Sequence, residues 1–415
     1  MKSKVGILSL GCPRNLVDSE NLLGRLDLKG YPVVDINEAD IALVNTCAFI
    51  DEAKKESIAA ILDLIALKKE GKLKKILVCG CLPARYKDSL RKELPEVDAF
   101  IGKLSLSQAL KRFPITPGYF AYLKICEGCV NNCSFCIIPK IKGKFVSLGV
   151  NAVLEEVKRF NSQGLSELNI IGQDITGYGL DLKGKEDLAG LLQRITRLAK
   201  NIPWIRLLYL NPGRLSDRLL KVIRDEPKIC KYIDLPIQHI NSRILKLMNR
   251  KISGQGIKKI IEKARKAVPG VALRTSVIVG FPGETRKEFK ELLDFIKETR
   301  FERLGAFTYS HEEGTKAYNF KGQLSAGVKS ERLAEVMSVQ QEVSRQVNSK
   351  FLGKLLTVLV DEEGSGSYLG RTQYDAPEVD GLVYIKSKQK LHPGDLIKVR
   401  ISDTLEYDLV GEVEQ

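Results

Sequence analysis

Three cysteines that lie close together carry the strongest chemical signal in the sequence. They belong to the segment Cys129-Val-Asn-Asn-Cys133-Ser-Phe-Cys136. A four-iron cluster normally takes four thiolates, so a set of three leaves one iron with an open position. An open position separates metal sites that bind a reactant from sites that are purely structural. The spacing therefore predicts a cluster that binds a molecule at its free iron and passes an electron to it.

Two other interpretations of this segment remain. With Cys126 it can be written as two Cys-x2-Cys pairs, but the three-residue gap between the pairs is much shorter than zinc ribbons or fingers use. Cys126 also ends the apolar run 122–126, which favours packing in a strand. Buried, unreactive thiols are the second alternative. Asn131 and Ser134, which lie between the cysteines, argue against it because they are typical of a loop.

Three further cysteines are far apart in sequence but share a structural context. Each follows an apolar run that predicts a parallel strand: Cys12 after residues 5–10, Cys47 after residues 41–45, and Cys81 after residues 76–79. The carboxyl ends of parallel strands meet at one edge of a sheet. Gly11 and Gly80 permit a sharp turn just before two of these cysteines. The pattern predicts a second three-cysteine cluster, with three separate core cysteines as the alternative.

The remaining cysteines and the histidines form no further pattern. The chain has nine cysteines, an odd number, and no secretion signal, which favours metal binding over structural disulfides. Cys79 lies within an apolar run and is predicted to be a core residue, and Cys230 has no partner and no predicted role. Only three histidines occur, and they share no short motif. A zinc site built from histidines is therefore excluded.

The elements that position these cysteines alternate between strand and helix patterns over most of the chain. Residues 1–112 predict a parallel α/β domain, with helices over 15–29, 50–69 and 83–92. A break at 113–118 indicates a linker. Residues 118–348 then contain six strand–helix repeats, which predict a (β/α) barrel or partial barrel, with an open doubly wound sheet as the alternative. Short β-branched runs in residues 350–415 predict a small all-β barrel.

Two turns at the ends of predicted barrel strands are weaker candidates for ligand contacts. The segment 280–285 follows a strand and opens a helix, and Thr285 and Glu288 have the spacing of a capping box. Residues 172–174, Gly-Gln-Asp, occupy a similar position after the predicted strand 167–171. Each turn either contacts a cofactor or simply connects its strand to the next element.

Charge is distributed unevenly along the chain. The formal net charge is +15, which is typical of proteins with a nucleic-acid partner or a solvated basic surface. Residues 353–415 nonetheless contain seven Lys or Arg and twelve Asp or Glu, a net charge of −5. An acidic barrel repels phosphate and favours a basic protein as partner. No apolar run is long enough to span a bilayer, and no signal-peptide cleavage site is present, so a cytoplasmic protein is predicted.

The whole chain resembles a known family. The Cys-x3-Cys-x2-Cys motif with Phe135 is similar to the signature of radical S-adenosylmethionine (SAM) enzymes. Together with an N-terminal three-cysteine domain and a C-terminal β module, it resembles the methylthiotransferases. The resemblance implies three domains: a methylthiotransferase domain at 1–112, a radical SAM core at 118–348 and a TRAM domain at 350–415.

Two branches of this family use different substrates. One modifies transfer-RNA adenosines, and the other modifies the β-carbon of an aspartate in small-subunit ribosomal protein twelve. Residues 9–20, 45–50 and 370–381 resemble the second branch, and the first usually has Gln-Met where this chain has Pro13-Arg14. The chain departs from the family at Lys142, where arginine is usual. It also departs at 147–148, with Ser-Leu for the usual Ser-Arg, and at 240–242, with Ile-Asn-Ser for the usual Gly-Ser-Asp.

The resemblance also implies the cofactors and their ligands. Cys129, Cys133 and Cys136 would hold a SAM-reducing four-iron cluster, with Phe135 beside the cofactor. A second four-iron cluster would be held by Cys12, Cys47 and Cys81 and would carry the sulfur. Two SAM molecules would be consumed per product, with the electron donor and the sulfur donor unidentified. The alternatives are a transfer-RNA methylthiotransferase and, in a different class, a non-catalytic iron–sulfur sensor or nucleic-acid-binding protein.

Overall fold

The N-terminal domain of the computed structural model is a parallel sheet flanked by helices. The structure describes residues 2–104, 111–184, 186–364 and 366–414, so the expected outer domain limits at residues 1 and 415 lie outside the described residues. The sheet order is β1-β2-β3-β4, and every pairing is parallel. The elements are β1 (Val5–Ser9), α1 (Pro13–Leu28), β2 (Ile41–Thr46), α2 (Asp51–Lys69), β3 (Lys75–Gly80), α3 (Cys81–Glu93) and β4 (Ala99–Ile101).

The central domain contains six main strands that follow one another in chain order. Strands β5-β8-β9 form one parallel sheet and β10-β11-β12 a second. The elements are β5 (Phe120–Lys124), β6 (Cys126–Glu127), α4 (Ile138–Lys142), β7 (Val146–Ser147), α5 (Val150–Ser162), β8 (Glu167–Ile171), α6 (Leu188–Leu198), β9 (Trp204–Leu207), α7 (Asp217–Asp225), β10 (Tyr232–Asp234), α8 (Ser242–Leu247), α9 (Gly254–Ala267), β11 (Ala272–Val279), α10 (Arg286–Thr299), β12 (Arg303–Thr308) and α11 (Ala326–Asn348).

The connection between these two sheets identifies the architecture as a partial (β/α) barrel. The backbone N–H of Leu210, just after β9, donates to the carbonyl oxygen of Asp234 in β10 at 3.0 Å. The N–H of Cys230 donates to the carbonyl oxygen of Ile205 in β9 at 2.9 Å. A doubly wound sheet would instead reverse its strand order at one point. Helix α10 begins with the predicted capping box between Thr285 and Glu288.

The C-terminal domain is a closed five-stranded barrel with the order β13-β14-β15-β17-β16. The β-branched runs that predict this barrel, at 355–361, 382–385, 396–401 and 408–413, do not include strand β14. Its Gly370 hides the strand pattern, yet glycine is needed because a Cβ there would lie 2.5 Å from the carbonyl oxygen of Leu359. The strands are β13 (Leu355–Glu363), β14 (Tyr368–Thr372), β15 (Val383–Lys386), β16 (Leu396–Thr404) and β17 (Leu409–Val413).

Buried ion pairs attach this barrel to the central domain. Arg303 Nε donates to Asp375 Oδ1 at 2.7 Å, and Arg274 Nε donates to Asp380 Oδ1 at 3.2 Å. All four side chains are at most 13% exposed. Removing one member of such a pair leaves an uncompensated buried charge, which typically costs about 3–5 kcal/mol. The loop between β14 and β15 is therefore fixed firmly against the partial barrel.

Because of such pairs, the net charge of −5 counted for residues 353–415 does not equal the charge exposed on the surface of the barrel. The three acidic residues Asp361, Asp375 and Asp380 form ion pairs with arginines. Within 353–364 and 366–414, seven exposed acidic residues face six exposed basic ones. The acidic set is Glu362, Glu363, Glu378, Asp403, Glu406, Glu412 and Glu414, and the basic set is Lys354, Lys386, Lys388, Lys390, Lys398 and Arg400. Asp395 adds to the acidic set, because its side chain is 45% exposed. The surface is therefore less acidic than the net charge of −5 implies, but it keeps an acidic excess.

No α-helix in the part of the chain that the structure describes is long and apolar enough to cross a bilayer.

Candidate functional site

Cys12, Cys47 and Cys81 lie at the carboxyl edge of the N-terminal sheet, as the strand pattern predicts. Cys12 precedes the first turn of α1, Cys47 directly follows β2, and Cys81 is the first residue of α3. Cys12 and Cys81 therefore lie at helix N-termini, where the positive end of the helix dipole favours a thiolate. Burial nevertheless raises the pKa of Cys81 to about 12, whereas the pKa of Cys12 is lowered.

Close packing brings these three residues together. A Cβ built on Gly11 would lie 2.6 Å from the Cβ of Cys47 and 3.0 Å from its Sγ. The Sγ of Cys81 is 3.8 Å from the Oδ1 of Asn15, and the Nδ2 of Asn15 donates to the carbonyl oxygen of Thr46 at 3.0 Å. Asn15 thus connects α1 to Cys81 itself and to Thr46, the residue before Cys47.

Gly11→Ala is expected to disrupt the N-terminal triplet without unfolding the sheet. The backbone of Gly11 has φ +85°, and an added methyl group would displace Cys47. We expect the iron content of the anaerobically reconstituted protein to fall towards that of a single cluster. Gly71→Ala is the matched control, because Gly71 has φ +76° but no atom within 4 Å of a built Cβ. Equal iron loss in both variants would show that backbone strain, and not displacement of Cys47, causes the loss.

The second triplet lies in the loop between β6 and α4. The N–H of Cys136 donates to the carbonyl oxygen of Cys133 at 3.2 Å, so the loop is tightly turned. Ser134 fixes the loop to the end of α8, because its N–H donates to the carbonyl oxygen of Met248 at 3.0 Å and its Oγ to that of Leu247 at 2.8 Å. The three thiols are half-buried rather than buried in a core. This arrangement agrees with a cluster-binding loop.

Polar side chains from three other loops support this triplet. The N–H and the Nδ2 of Asn131 each lie 3.4 Å from the Sγ of Cys129. Nδ2 also donates to Asp174 Oδ2 at 2.6 Å, and Arg214 Nη1 donates to both Asn131 Oδ1 and Asp174 Oδ2. Arg250 Nη1 lies 3.8 Å from the Sγ of Cys133. The turn at 172–174 thus contributes to the site through Asp174, while Arg214 and Arg250 carried no recognisable signal in the sequence.

Phe135 packs with apolar residues on the far side of the loop. Its ring joins a cluster that includes Met248, Phe281 and Tyr309. Phe281 belongs to the turn that follows β11, where Gly280 has φ +74°. Phe135 therefore connects the cysteine loop to the turn at 280–285 through buried apolar contacts.

The three remaining cysteines are buried, although Cys79 lies near Cys81 and Cys126 lies near Cys129. Cys126 belongs to the core under α5 and α6, and a Cβ on Gly172 would lie 2.4 Å from its Sγ. Cys79 is 1% exposed, and Cys230 packs near Arg206. Burial raises the pKa of Cys79 to about 12 and that of Cys230 to about 11, so both remain neutral thiols. The burial of Cys126 in this core argues against the zinc-like arrangement that includes it.

Arg14 lies where the two triplets approach each other. Its Nη1 donates to the carbonyl oxygen of Gly172 at 3.0 Å, and its guanidinium stacks over the ring of Tyr209 at 4.5 Å. Burial raises the pKa of Cys12, but the Arg14 charge, the Asn15 N–H and Lys142 outweigh it, so the net pKa falls below its ordinary value. The Arg14 charge also lowers the pKa of Cys136, which burial raises to about 12.

A buried quartet of charges joins the two domains beside these cysteines. Lys142 Nζ lies 3.2 Å from Asp18 Oδ2 and 3.3 Å from Glu127 Oε1, and Lys124 also pairs with both carboxylates. Asp18 belongs to α1, whereas the other three residues belong to the central domain. Lys142 is one of the departures from the family pattern noted above. The structure places it within the electrostatic reach of Cys12 and Cys81.

The donor chemistry of both triplets fits an iron–sulfur cluster. Within the described ranges, no group of three or more His, Cys, Asp or Glu has the arrangement of a single-ion site. Ligands of one zinc ion must all approach it to about 2.3 Å, whereas the three cysteines of a cubic cluster bind three different irons and are spaced more widely. Each triplet provides three thiols and leaves one position of a four-iron cluster for another ligand.

Three family models match successive parts of the chain. The radical SAM superfamily model matches residues 123–296, the model of an uncharacterised protein family, UPF0004, matches residues 4–102, and the TRAM domain model matches residues 352–413. Each match falls on one of the three domains described above.

A solved structure with a similar fold is the radical SAM methyltransferase TsrM from Kitasatospora setae, with cobalamin and a [4Fe-4S] cluster bound. It has a TM-score of 0.54 and 12% identity, and the match covers 86% of this chain and 81% of that one. At this identity the similarity shows the fold alone.

Relatives of known name match the whole chain. The ribosomal protein uS12 methylthiotransferase RimO of Geotalea uraniireducens is 45% identical over 100% of this chain and 99% of its own. RimO of Clostridioides difficile is 43% identical over 99% and 98%. RimO of Caldanaerobacter subterraneus is 46% identical over 98% and 99%. With this identity over its full length, the chain belongs to the RimO family of radical SAM methylthiotransferases.

Proposed function

We propose that this enzyme transfers a methylthio group to the β-carbon of an aspartate in small-subunit ribosomal protein twelve, uS12. The observation that carries the proposal is the 43–46% identity to RimO proteins along the entire chain. The three domains and both cysteine triplets are present, so every part of the fold that the reaction needs is available. The substrate identity rests on these relatives and not on the charge of the β-barrel, whose surface is only weakly acidic.

The six clustered cysteines are proposed to hold two [4Fe-4S] clusters. Cys129, Cys133 and Cys136 would hold the cluster that binds SAM, and Cys12, Cys47 and Cys81 would hold the auxiliary cluster. With SAM, the first cluster supplies a radical able to remove hydrogen from an unactivated carbon, which side-chain acid–base chemistry cannot do. The protein's own contribution is to position these groups and to exclude water around them.

Particular side chains perform this positioning. Asn131, Asp174 and Arg214 fix the loop that carries Cys129 through the hydrogen bonds described above. Asp18 and Lys142 connect the N-terminal domain to the central domain next to the cysteines. Because these ion pairs are buried, the spacing between the triplets is fixed by the fold rather than by a flexible linker.

The remaining elements of the proposal follow the family. The functional domains are proposed to span residues 1–112, 118–348 and 350–415, and the enzyme is proposed to act in the cytoplasm, where its ribosomal substrate is made. A transfer-RNA substrate is the second candidate, and the +15 net charge of the chain is the observation that favours it.

Incubation of the reduced holoenzyme with SAM, a sulfide source and purified ribosomal protein twelve tests this function. We expect mass spectrometry to show one hydrogen replaced by one methylthio group on a single aspartate. Transfer RNA added in the same amount should remain unmodified. A methylthio group on adenosine, with an unchanged ribosomal protein, would exclude the proposal and establish the second candidate.

A further inference from the structure

Arg14 occupies a position that no other cation in the site shares. Its charge acts on Cys12 and Cys47 of the N-terminal triplet and on Cys136 of the central one. The side chain is half-buried, fixed at one end by the carbonyl oxygen of Gly172 and covered on one face by Tyr209. One guanidinium group therefore faces both triplets from the space between them.

This guanidinium has no carboxylate partner. Across residues 2–104, 111–184, 186–364 and 366–414, no Asp or Glu oxygen lies within ion-pair distance of Arg14. The nearby carboxylates are already paired, Glu127 with Lys124 and Lys142, and Asp174 with Arg214. A half-buried cation normally acquires an anionic partner, because its own desolvation is otherwise uncompensated.

The other cations near the cysteines are already engaged. Lys142 lies between Asp18 and Glu127. Arg250 donates to the carbonyl oxygen of Pro236 at 2.8 Å and lies against Cys133. Arg14 donates to the carbonyl oxygen of Gly172 and also hydrogen-bonds the side chain of Cys12, and neither partner is a carboxylate. Its remaining N–H groups lie in a planar fork, the geometry that binds a carboxylate through two parallel hydrogen bonds.

We infer that Arg14 binds the side-chain carboxylate of the target aspartate and so selects this residue type as substrate. The inference rests on the proposed function. That reaction needs its target carbon within reach of both triplets, and in an aspartate the carboxylate is attached directly to that carbon. A carboxylate brought into this partly dry space needs a cation beside it. Arg14 has no carboxylate partner and acts on cysteines of both triplets, whereas Arg250 lies against the central triplet alone. Arg14 thereby fixes which carbon lies between the triplets.

A different role for Arg14 predicts a different result. If its charge only compensated the negative charge of cysteine-bound clusters, the enzyme would bind a substrate with or without a carboxylate equally well. Carboxylate recognition instead requires that asparagine, which has the same shape but no charge, bind more weakly. The two roles are therefore separated by the charge of the substrate, independently of turnover.

The test measures the binding of full-length, anaerobically prepared holoenzyme to ribosomal protein twelve, either unaltered or with its target aspartate replaced by asparagine. We expect the unaltered enzyme to bind the aspartate form about 10- to 100-fold more tightly, the range for a hydrogen bond to a charged group. R14Q should reduce this preference to about threefold or less. R218Q should retain it in full, because Arg218 is 54% exposed and pairs with Asp187 on the surface.

Iron content is measured for every variant, so that a loss of clusters is not mistaken for a loss of recognition. If R14Q loses iron, R14K is measured in its place. The preference of R14K for the aspartate form should be about threefold or more below that of the unaltered enzyme, because an ammonium group lacks the planar fork. Equal binding of the two ribosomal proteins by the unaltered enzyme would overturn the inference, as would an undiminished preference in the iron-loaded variant. Failure of the unaltered enzyme to bind either ribosomal protein would instead overturn the proposed function on which the inference rests.

Discussion

Replacing Cys129, Cys133 and Cys136 together with alanine is expected to leave about half of the iron and to abolish SAM cleavage. The three thiols lie in one loop that is anchored through Ser134 to the end of α8, and the N-terminal triplet lies in a separate domain. The auxiliary cluster should therefore assemble normally in the variant. Iron analysis and chromatographic detection of cleaved SAM under reducing conditions measure the two effects.

Cys126→Ala is the matched control for this variant. Cys126 is only three residues from Cys129, but it is fully buried and packs against Gly172. Its loss should cost some stability and no iron. A triple variant that retained all of its iron would show that the loop does not hold a cluster, and an equal loss in Cys126→Ala would favour the zinc-like arrangement of two pairs.

The sequence was sufficient to predict the location of all six proposed ligands. The spacing of Cys129, Cys133 and Cys136 is local, and a short loop necessarily keeps them together. Cys12, Cys47 and Cys81 required a second step, the rule that parallel strands end at one edge, and that rule holds here because β1, β2 and β3 pair in order. The strand–helix alternation likewise predicted the central architecture. Three of its six predicted strands, 167–171, 272–279 and 303–308, have the observed limits, and the limits of the other three differ by one to three residues.

The polar surroundings of the cysteines could not be predicted in the same way. Asp18 and Lys142 are separated by more than a hundred residues and meet only because two domains pack together. Arg14 was recognised solely as a mark of one family branch, and its position between the triplets depends on Gly172 and Tyr209, which belong to the other domain. Such contacts follow no periodicity, so a single sequence does not reveal them.

Charge counting overstated the acidity of the β-barrel surface for a related reason. The acidic character of residues 353–415 suggested a docking face for a basic protein, but Asp375 and Asp380 are used internally to bind Arg303 and Arg274. A formal charge says nothing about which side chains reach the surface. Segment 370–381, which resembles the family, thus contains two residues that fix the β-barrel against the central domain, Asp375 and Asp380.

Replacing Cys12, Cys47 and Cys81 together with alanine is expected to remove the other half of the iron, about one four-iron cluster per chain. SAM cleavage should continue, because the central loop and its supports, Asn131 and Arg214, lie outside the N-terminal domain. Methylthio product should fall below detection. Mass spectrometry of ribosomal protein twelve and detection of cleaved SAM in the same reaction measure both effects.

Cys79→Ala provides the matched control, because Cys79 lies two residues before Cys81 but within strand β3, whereas Cys81 is the first residue of α3. The Cys79→Ala variant should retain its full iron content and still form the methylthio product.

Formation of methylthio product by the triple variant would show that Cys12, Cys47 and Cys81 are not required for the reaction. Loss of SAM cleavage in that variant would mean that the two sites are coupled through the contacts that Arg14 and Lys142 make across the domain boundary. Continued cleavage without product would assign hydrogen removal to the central triplet and sulfur delivery to the N-terminal one.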